Sequence, residues 1–262
     1  MTTPLNLSGR TAVVTGGESG LGRAIAMALA GHGAIVVVGD LVPRGENEEP
    51  FGKLGIVQMK ADMRLESDVH ALIDHAGAMD GGVDILANVA GIEIPKEITQ
   101  VTEEDWDVCL DTNVKAAFFA TKHAIPRMRQ RGGGAIVNMS SNAGLLPRVS
   151  DPVYTITKAA LITLTKTIAL AHARDRIRVN AICPGPVAHT GMLESSLDAA
   201  PDRDEAIRQL IEASPLACAY DRLQTPEEIA ACVLYLVSDA AAMVTGTVIA
   251  IDGGKSLGVP PT

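Results

Sequence analysis

The stretch from Thr11 to Ala30 constrains the fold more than any other. A short apolar run (Thr11 to Val14) leads into Thr-Gly-Gly-Glu-Ser-Gly-Leu-Gly (Thr15 to Gly22), and a helical pattern runs from Arg23 to Ala30. Strand, glycine turn and helix in that order leave backbone N–H groups pointing out of a helix start, where only glycines let a pyrophosphate come close. The same alternation recurs downstream. Apolar runs at Ala34–Val38, Ile56–Lys60, Val83–Ala87, Ala135–Val137, Ile177–Ile182 and Thr247–Ile251 read as strands. Helical patterns lie between them at Glu66–Met79 and Glu103–Arg131, around Val153–Leu164, and at Glu227–Leu236. Alternating βα units imply an α/β protein with a parallel sheet, right-handed crossovers and helices on both faces.

Composition narrows the class. At 262 residues and 47% hydrophobic the chain can bury a full core, and its Pro and Gly are dispersed, so one domain spanning 1–262 is expected. A formal charge of −9 argues against nucleic acid, which calls for a basic stripe. The first ten residues hold no apolar h-region and no run of eighteen apolar residues follows, so no membrane partner is expected. Cys109, Cys183, Cys218 and Cys232 show neither C-x-x-C pairing nor zinc spacing. They read as reduced thiols of a cytoplasmic protein, with no metal site.

Chemistry concentrates between Asn138 and Lys158. Tyr154 and Lys158, four residues apart on a helical pattern, share one face. An ammonium near a phenol favours the phenolate and makes a base usable near neutrality. Ser141 closes an apolar strand, at the end where open α/β sheets bind ligands. Ser140, its neighbour, points to the opposite face. Asp40 ends the second strand about twenty residues past the glycine turn, where a carboxylate can take both hydroxyls of a ribose. Leu41 to Gly52 carries Pro43, Gly45, Pro50 and Gly52, which break any helix and predict a loop.

Ser-x12-Tyr-x3-Lys behind a Gly16-x3-Gly20-x-Gly22 turn resembles the short-chain dehydrogenase/reductase family, over nearly the whole chain. The resemblance implies a doubly wound, seven-stranded Rossmann-type sheet in the order 3-2-1-4-5-6-7 and a homotetramer. It implies catalysis by Ser141, Tyr154 and Lys158, with Asn113 kinking its helix and holding an outlet water. The cofactor, NAD by the reading of Asp40, would meet Gly16, Ser19, Gly20, Leu21 and Gly22 in the turn. It would meet Asp40 and Leu41 after the second strand, and Asp62 and Met63 after the third, with Asp62 on the adenine amine. Asn88, Ala90 and Gly91 follow the fourth strand in Asn-Val-Ala-Gly, where the family has Asn-Asn-Ala-Gly; Asn88 reads there as a strand bridge. Tyr154, Lys158, Pro184, Gly185, Val187 and Thr190 would close the nicotinamide end. Thr190 stands one position later than the family's threonine.

The implied reaction interconverts a secondary alcohol and a ketone, with a helical flap over 188–216. Candidate substrate walls are Glu93, Ile94, Asn142, Leu146, Arg148, Val153, His189 and Met192, a mixed set that leans toward a sugar, polyol or hydroxy acid. An oxoacyl-carrier-protein reductase, or a nucleotide-bound scaffold without turnover, are the alternatives.

Overall fold

The structure, a computed structural model, describes residues 5–43 and 49–258. Its strands are β1 (Thr11–Thr15), β2 (Ile35–Asp40), β3 (Val57–Lys60), β4 (Ile85–Asn88), β5 (Gly134–Met139), β6 (Ile177–Pro184) and β7 (Val248–Ile251). They form one sheet in the order β3-β2-β1-β4-β5-β6-β7, all pairs parallel, which is the implied order. Around it lie α1 (Gly20–Gly31), α2 (Phe51–Leu54), α3 (Glu66–Met79), α4 (Glu103–Leu110), α5 (Ala116–Gln130), α6 (Pro152–His172), α7 (Gly191–Asp198), α8 (Arg203–Glu212), α9 (Pro215–Tyr220) and α10 (Pro226–Val237).

Sheet burial on both faces explains the apolar strands. Val13, Val37, Leu86, Ile136 and Val179 share one core with Leu72 and Ile73 of α3 and Met128 of α5. Their strand neighbours Val14, Val36, Val38, Ile85 and Val137 join the other core, with Ile25 and Leu29 of α1 and Ile229 and Val233 of α10. Each such side chain stabilises the fold by about 1.5–3 kcal/mol through burial. The order reverses on either side of β1, between β2 and β4, and a crevice opens there above the strand ends.

Four local expectations are refined. The loop predicted over Leu41 to Gly52 contains, among its described residues, the start of the single-turn helix α2. Phe51 is wholly buried in the α1 core with the Arg23 guanidinium 4.5 Å above its ring, and Gly55 at φ 66 ends the turn. The helix from Glu103 to Arg131 is one path, but Asp111–Lys115 widen into a π turn around Asn113. Its start is a capping box in which Thr102 Oγ1 accepts from the Asp105 N–H and the Asp105 carboxylate accepts from the Thr102 N–H. The fourth strand begins at Ile85 rather than Val83 and runs on to Asn88. The flap is three helices, α7 to α9, the last running past the expected end at 216 to Tyr220, where Asp221 closes it at φ 51.

Pro152–Asp175 is long and apolar enough to cross a membrane, with a mean hydropathy of 1.2. Val153, Tyr154, Thr157, Lys158, Leu161, Thr165 and Ala169 are instead buried within the fold.

Candidate active site

One cavity of about 840 Å³ runs over the carboxyl ends of the strands. Gly16 follows β1, Asp40 ends β2, Asp62 follows β3, Gly91 follows β4, Ser141 follows β5, Gly185 follows β6 and Lys255 follows β7, and all seven line it.

The glycine turn forms one end. Gly16 stands at φ 67, and a Cβ there would lie 2.8 Å from the Ala90 Cα. A Cβ on Gly22 would lie 1.9 Å from the Gly16 carbonyl oxygen. No side chain larger than hydrogen fits either place. Ser19 N-caps α1 in an extended conformation without a side-chain cap bond, and Ser19, Gly20, Leu21 and Gly22 line the cavity at this helix start. That arrangement suits a pyrophosphate.

Asp40 is oriented by backbone donors: Leu41 N–H donates to Oδ1 at 2.8 Å and Glu18 N–H to Oδ2 at 3.1 Å. Asp40 and Leu41 both line the cavity. Arg44, the basic residue nearest Asp40 in this loop, lies outside the described residues. Asp62 and Met63 also line the wall, but Asp62 is not a lone carboxylate waiting for adenine. The Arg64 guanidinium grips both its oxygens, at 2.6 to 3.1 Å, and holds its carboxyl below the usual range. Arg64 is a cavity residue that sequence reasoning missed; it lies two residues past Asp62, at the mouth of α3.

Asn88 does not reach the cavity. Its amide donates to Asn138 Oδ1 at 2.8 Å and ties β4 to β5, the bridging role read for it. Ala90 and Gly91 do line the wall, with Val89 beside them. Thr15 Oγ1 accepts from both the Val89 and Ala90 N–H groups, which fixes the backbone of this motif against β1. Pro184, Gly185, Val187 and Thr190 lie at the other end. The residue inserted before Thr190 is absorbed by His189 at φ 58, and Thr190 Oγ1 donates back to the Val187 carbonyl at 3.0 Å. Thr190 therefore keeps its place in the wall.

Ser141, Tyr154 and Lys158 converge here, at 4%, 6% and 3% exposure. The Ser141 hydroxyl accepts from the Ala143 N–H at 3.1 Å and lies within hydrogen-bonding reach of the Tyr154 phenol, whose ionisation it favours. Lys158 Nζ donates to the Met139 carbonyl at 2.9 Å and sits 5.3 Å from the Tyr154 ring centre. Ser140 lines the cavity too, but its hydroxyl donates to the Lys158 carbonyl at 2.7 Å and so steadies α6. Asn113 is 1% exposed and stands behind the wall. Its Oδ1 accepts from the Ile92 N–H, and its Nδ2 donates to the Ile92 carbonyl and to Thr157 Oγ1. Its side chain is a positioning group; a Cβ on Gly91 would touch both Asn113 Oδ1 and Lys158 Nζ at 3.3 Å.

The electrostatics differ from the simple lysine–phenol pairing. Burial pushes the Tyr154 phenol up to about 12, opposed by the Ser141 hydrogen bond and the Arg148 charge. Burial also brings Lys158 down to about 8. Desolvation is the leading cause at both groups, since burial disfavours the charged form of each.

Of the substrate-wall candidates, Glu93, Asn142, Leu146, Arg148 and Met192 line the cavity, while Ile94, Val153 and His189 do not. Val153 faces the core because its helix turns Tyr154 toward the cavity. Ser196, Leu210 and Lys255 are additional wall residues without a local sequence signal.

Comparison with known proteins agrees with this geometry. A family model described as enoyl-(acyl carrier protein) reductase matches residues 16–256. The oxidoreductase UcpA of Salmonella typhimurium is 38% identical over 261 residues, covering 96% of each chain. The D-beta-hydroxybutyrate dehydrogenase of Cupriavidus necator is 33% identical over 258 residues, covering 95% of this chain and 98% of that one. The crystal structure of L-sorbose reductase from Gluconobacter frateurii, complexed with NADPH and L-sorbose, superposes with a TM-score of 0.89 at 31% identity, covering 97% and 98% of the two chains. The chain belongs to the short-chain dehydrogenase/reductase family of oxidoreductases, which use nicotinamide cofactors.

Proposed function

We propose that the protein is an NAD-dependent dehydrogenase interconverting a secondary alcohol and a ketone on a small polar substrate. The observation that carries this reading is the single cavity joining the glycine turn and Asp40 to Ser141, Tyr154 and Lys158. The hydroxybutyrate and sorbose relatives both act on hydroxylated or keto compounds by name, which supports the substrate class.

In this reading Ser141 holds the substrate oxygen and Tyr154 takes the hydroxyl proton. A nicotinamide held between the glycine turn and Lys158 would supply the hydride acceptor for the carbinol carbon. Lys158, anchored on the Met139 carbonyl, would hold the nicotinamide ribose, favour the phenolate and pass its own proton on toward solvent as the phenol's proton replaces it. Asn113 acts through the wall, holding Ile92 and Thr157, the residue before Lys158, and its place in the π turn suits the outlet-water role that the family resemblance implies. A carrier-protein substrate is the second reading, after the description of the matching family model. The net charge of −9 disfavours an acidic carrier.

NAD preference rests on Asp40, whose two oxygens are aimed by backbone donors. A 2′-phosphate would set a dianion against that carboxylate in a partly dry cleft. The expected kcat/KM preference for NAD over NADP is at least ~100-fold, about 3 kcal/mol. Following NADH and NADPH formation over a panel of sugars, polyols, hydroxy acids and cyclic alcohols tests both parts. No turnover with any of them would sink the dehydrogenase reading, and equal use of the two cofactors would sink the reading of Asp40. The homotetramer and the cytoplasmic setting, without nucleic-acid or membrane partners, belong to the same proposal.

A further inference from the structure

We infer that the substrate of this proposed dehydrogenase carries a carboxylate, seated between Arg148 and Lys255 at the tyrosine end of the cavity. The inference rests on the reading just given and deepens it: among sugars, polyols and hydroxy acids, it selects the acids.

Two cations line one wall with little to hold them there. Arg148 lies with its guanidinium carbon 5.5 Å from the Tyr154 ring centre. One of its donors reaches Asn142 Oδ1 at 3.2 Å, and another stands 3.8 Å from Glu93 Oε2, beyond hydrogen-bonding distance. Most of its five N–H groups thus remain available to a ligand. Lys255 follows β7 on a short 3₁₀ turn and lines the same cavity. The acid nearest to it in sequence, Asp252, is already engaged: its two oxygens accept from the Gly254 N–H at 2.9 Å and the Ser256 N–H at 2.8 Å. Asp252 therefore shapes the turn that presents Lys255 and does not pair with it. Among the described residues no carboxylate forms an ion pair with Lys255.

Lys255 is half-buried, and burial together with the Arg148 charge makes its ammonium harder to keep. Like charges facing a partly dry space are unfavourable unless an anion comes between them. The described carboxylates of this region leave Lys255 without an ion-pair partner, and only Glu93 pairs with Arg148, in a loose 3.8 Å ion pair. Asp151 is buried as the N-cap of α6, accepting from the Tyr154 N–H, and Glu93 sits on the Arg148 side with its own carboxyl pushed up by burial. The catalytic hydroxyl is connected to the cation: Ser141 Oγ meets Asn142 Oδ1 at 3.3 Å, and Asn142 Oδ1 meets Arg148 at 3.2 Å. A carbinol oxygen on Ser141 and Tyr154 thus places a carboxylate a few bonds away against Arg148 and Lys255. Small hydroxy acids have that shape.

The test compares matched acids and neutral alcohols, 3-hydroxybutyrate with butane-1,3-diol and gluconate with sorbitol, at fixed ionic strength with NAD. The expected wild-type kcat/KM favours the acid of at least one pair tenfold or more. Lys255→Met should cut that ratio at least tenfold, mainly through KM, and Lys255→Arg should restore most of it. Glu93→Gln, which removes the competing carboxylate, should raise the ratio. A second readout needs no turnover: with NADH present, succinate should raise Tm more than succinamide does, and Lys255→Met should erase the difference. An acid-to-alcohol ratio untouched by Lys255→Met, or equal Tm shifts for succinate and succinamide in the wild type, overturns the inference. If no alcohol reduces NAD, the dehydrogenase reading fails while the Tm comparison still decides the anion site.

Discussion

Tyr154 shows how a residue's chemistry depends on what surrounds it. With the protein's own groups alone, burial holds its phenol up to about 12, and only Ser141 and Arg148 pull it down. Oxidation, which needs the phenolate, should therefore speed up with rising pH into the alkaline range. On an uncharged alcohol, with chemistry rate-limiting, Arg148→Met should move the midpoint of the kcat–pH curve upward, because it removes a cation that favours the phenolate. A midpoint that stays put, or drops, would count against that electrostatic role. Tyr154→Phe should lose at least ~100-fold in kcat, the scale of one general acid–base group, while NADH titration shows nearly unchanged affinity. The phenol acts on the substrate oxygen, so loss of cofactor binding would argue for a different base.

At the scale of elements, a helix of only four residues is informative. α2 stands where proline and glycine rule out a longer helix, and Phe51 is its contribution to the core. The side chain is wholly buried beside α1, whose start carries the glycine turn. Phe51→Ala should cost about 3–5 kcal/mol of stability by cavity formation. Urea unfolding checks the loss, and a change below about 1 kcal/mol would mean that the site collapses freely or that Phe51 packs less than its burial implies. The π turn at Asp111–Lys115 makes a parallel point. An Asn inside a helix is a poor helix former, and here the widened turn lets its amide bridge Ile92 and Thr157.

For the whole molecule, exposed apolar side chains are spread over loops, flap and helices, and some of them stand on the helices flanking the sheet. Trp106, Phe118, Ile156 and Leu170 lie on α4, α5 and α6, while Tyr235, Met243 and Leu257 lie on α10 and around β7. A tetramer of paired dimers uses two different faces, and the proposed homotetramer would draw them from these helices. Light scattering should therefore give about four times the chain mass of 27.3 kDa. Phe118→Asp, which places a charge on α5, should reduce it to dimers. A monomeric wild type would remove the tetramer from the proposal.

Local periodicity and spacing were enough for the parallel α/β sheet and for placing Tyr154 and Lys158 on one helical face, because alternation along a strand and four residues along a helix are short-range geometry. The strand order, and the meeting of Ser141 with Tyr154 and Lys158 in one site, came from the family resemblance carried by those motifs. Asp40 was legible from spacing, being a strand end at a set distance from the turn. The tertiary structure decided what depends on residues far apart in the chain. Arg64 occupies the carboxylate of Asp62, Asn88 bridges two strands without touching the cavity, and Lys255 arrives beside Arg148 across more than a hundred residues. It also reversed the expected balance at Tyr154, because desolvation is set by everything packed around a group and not by its neighbours in sequence.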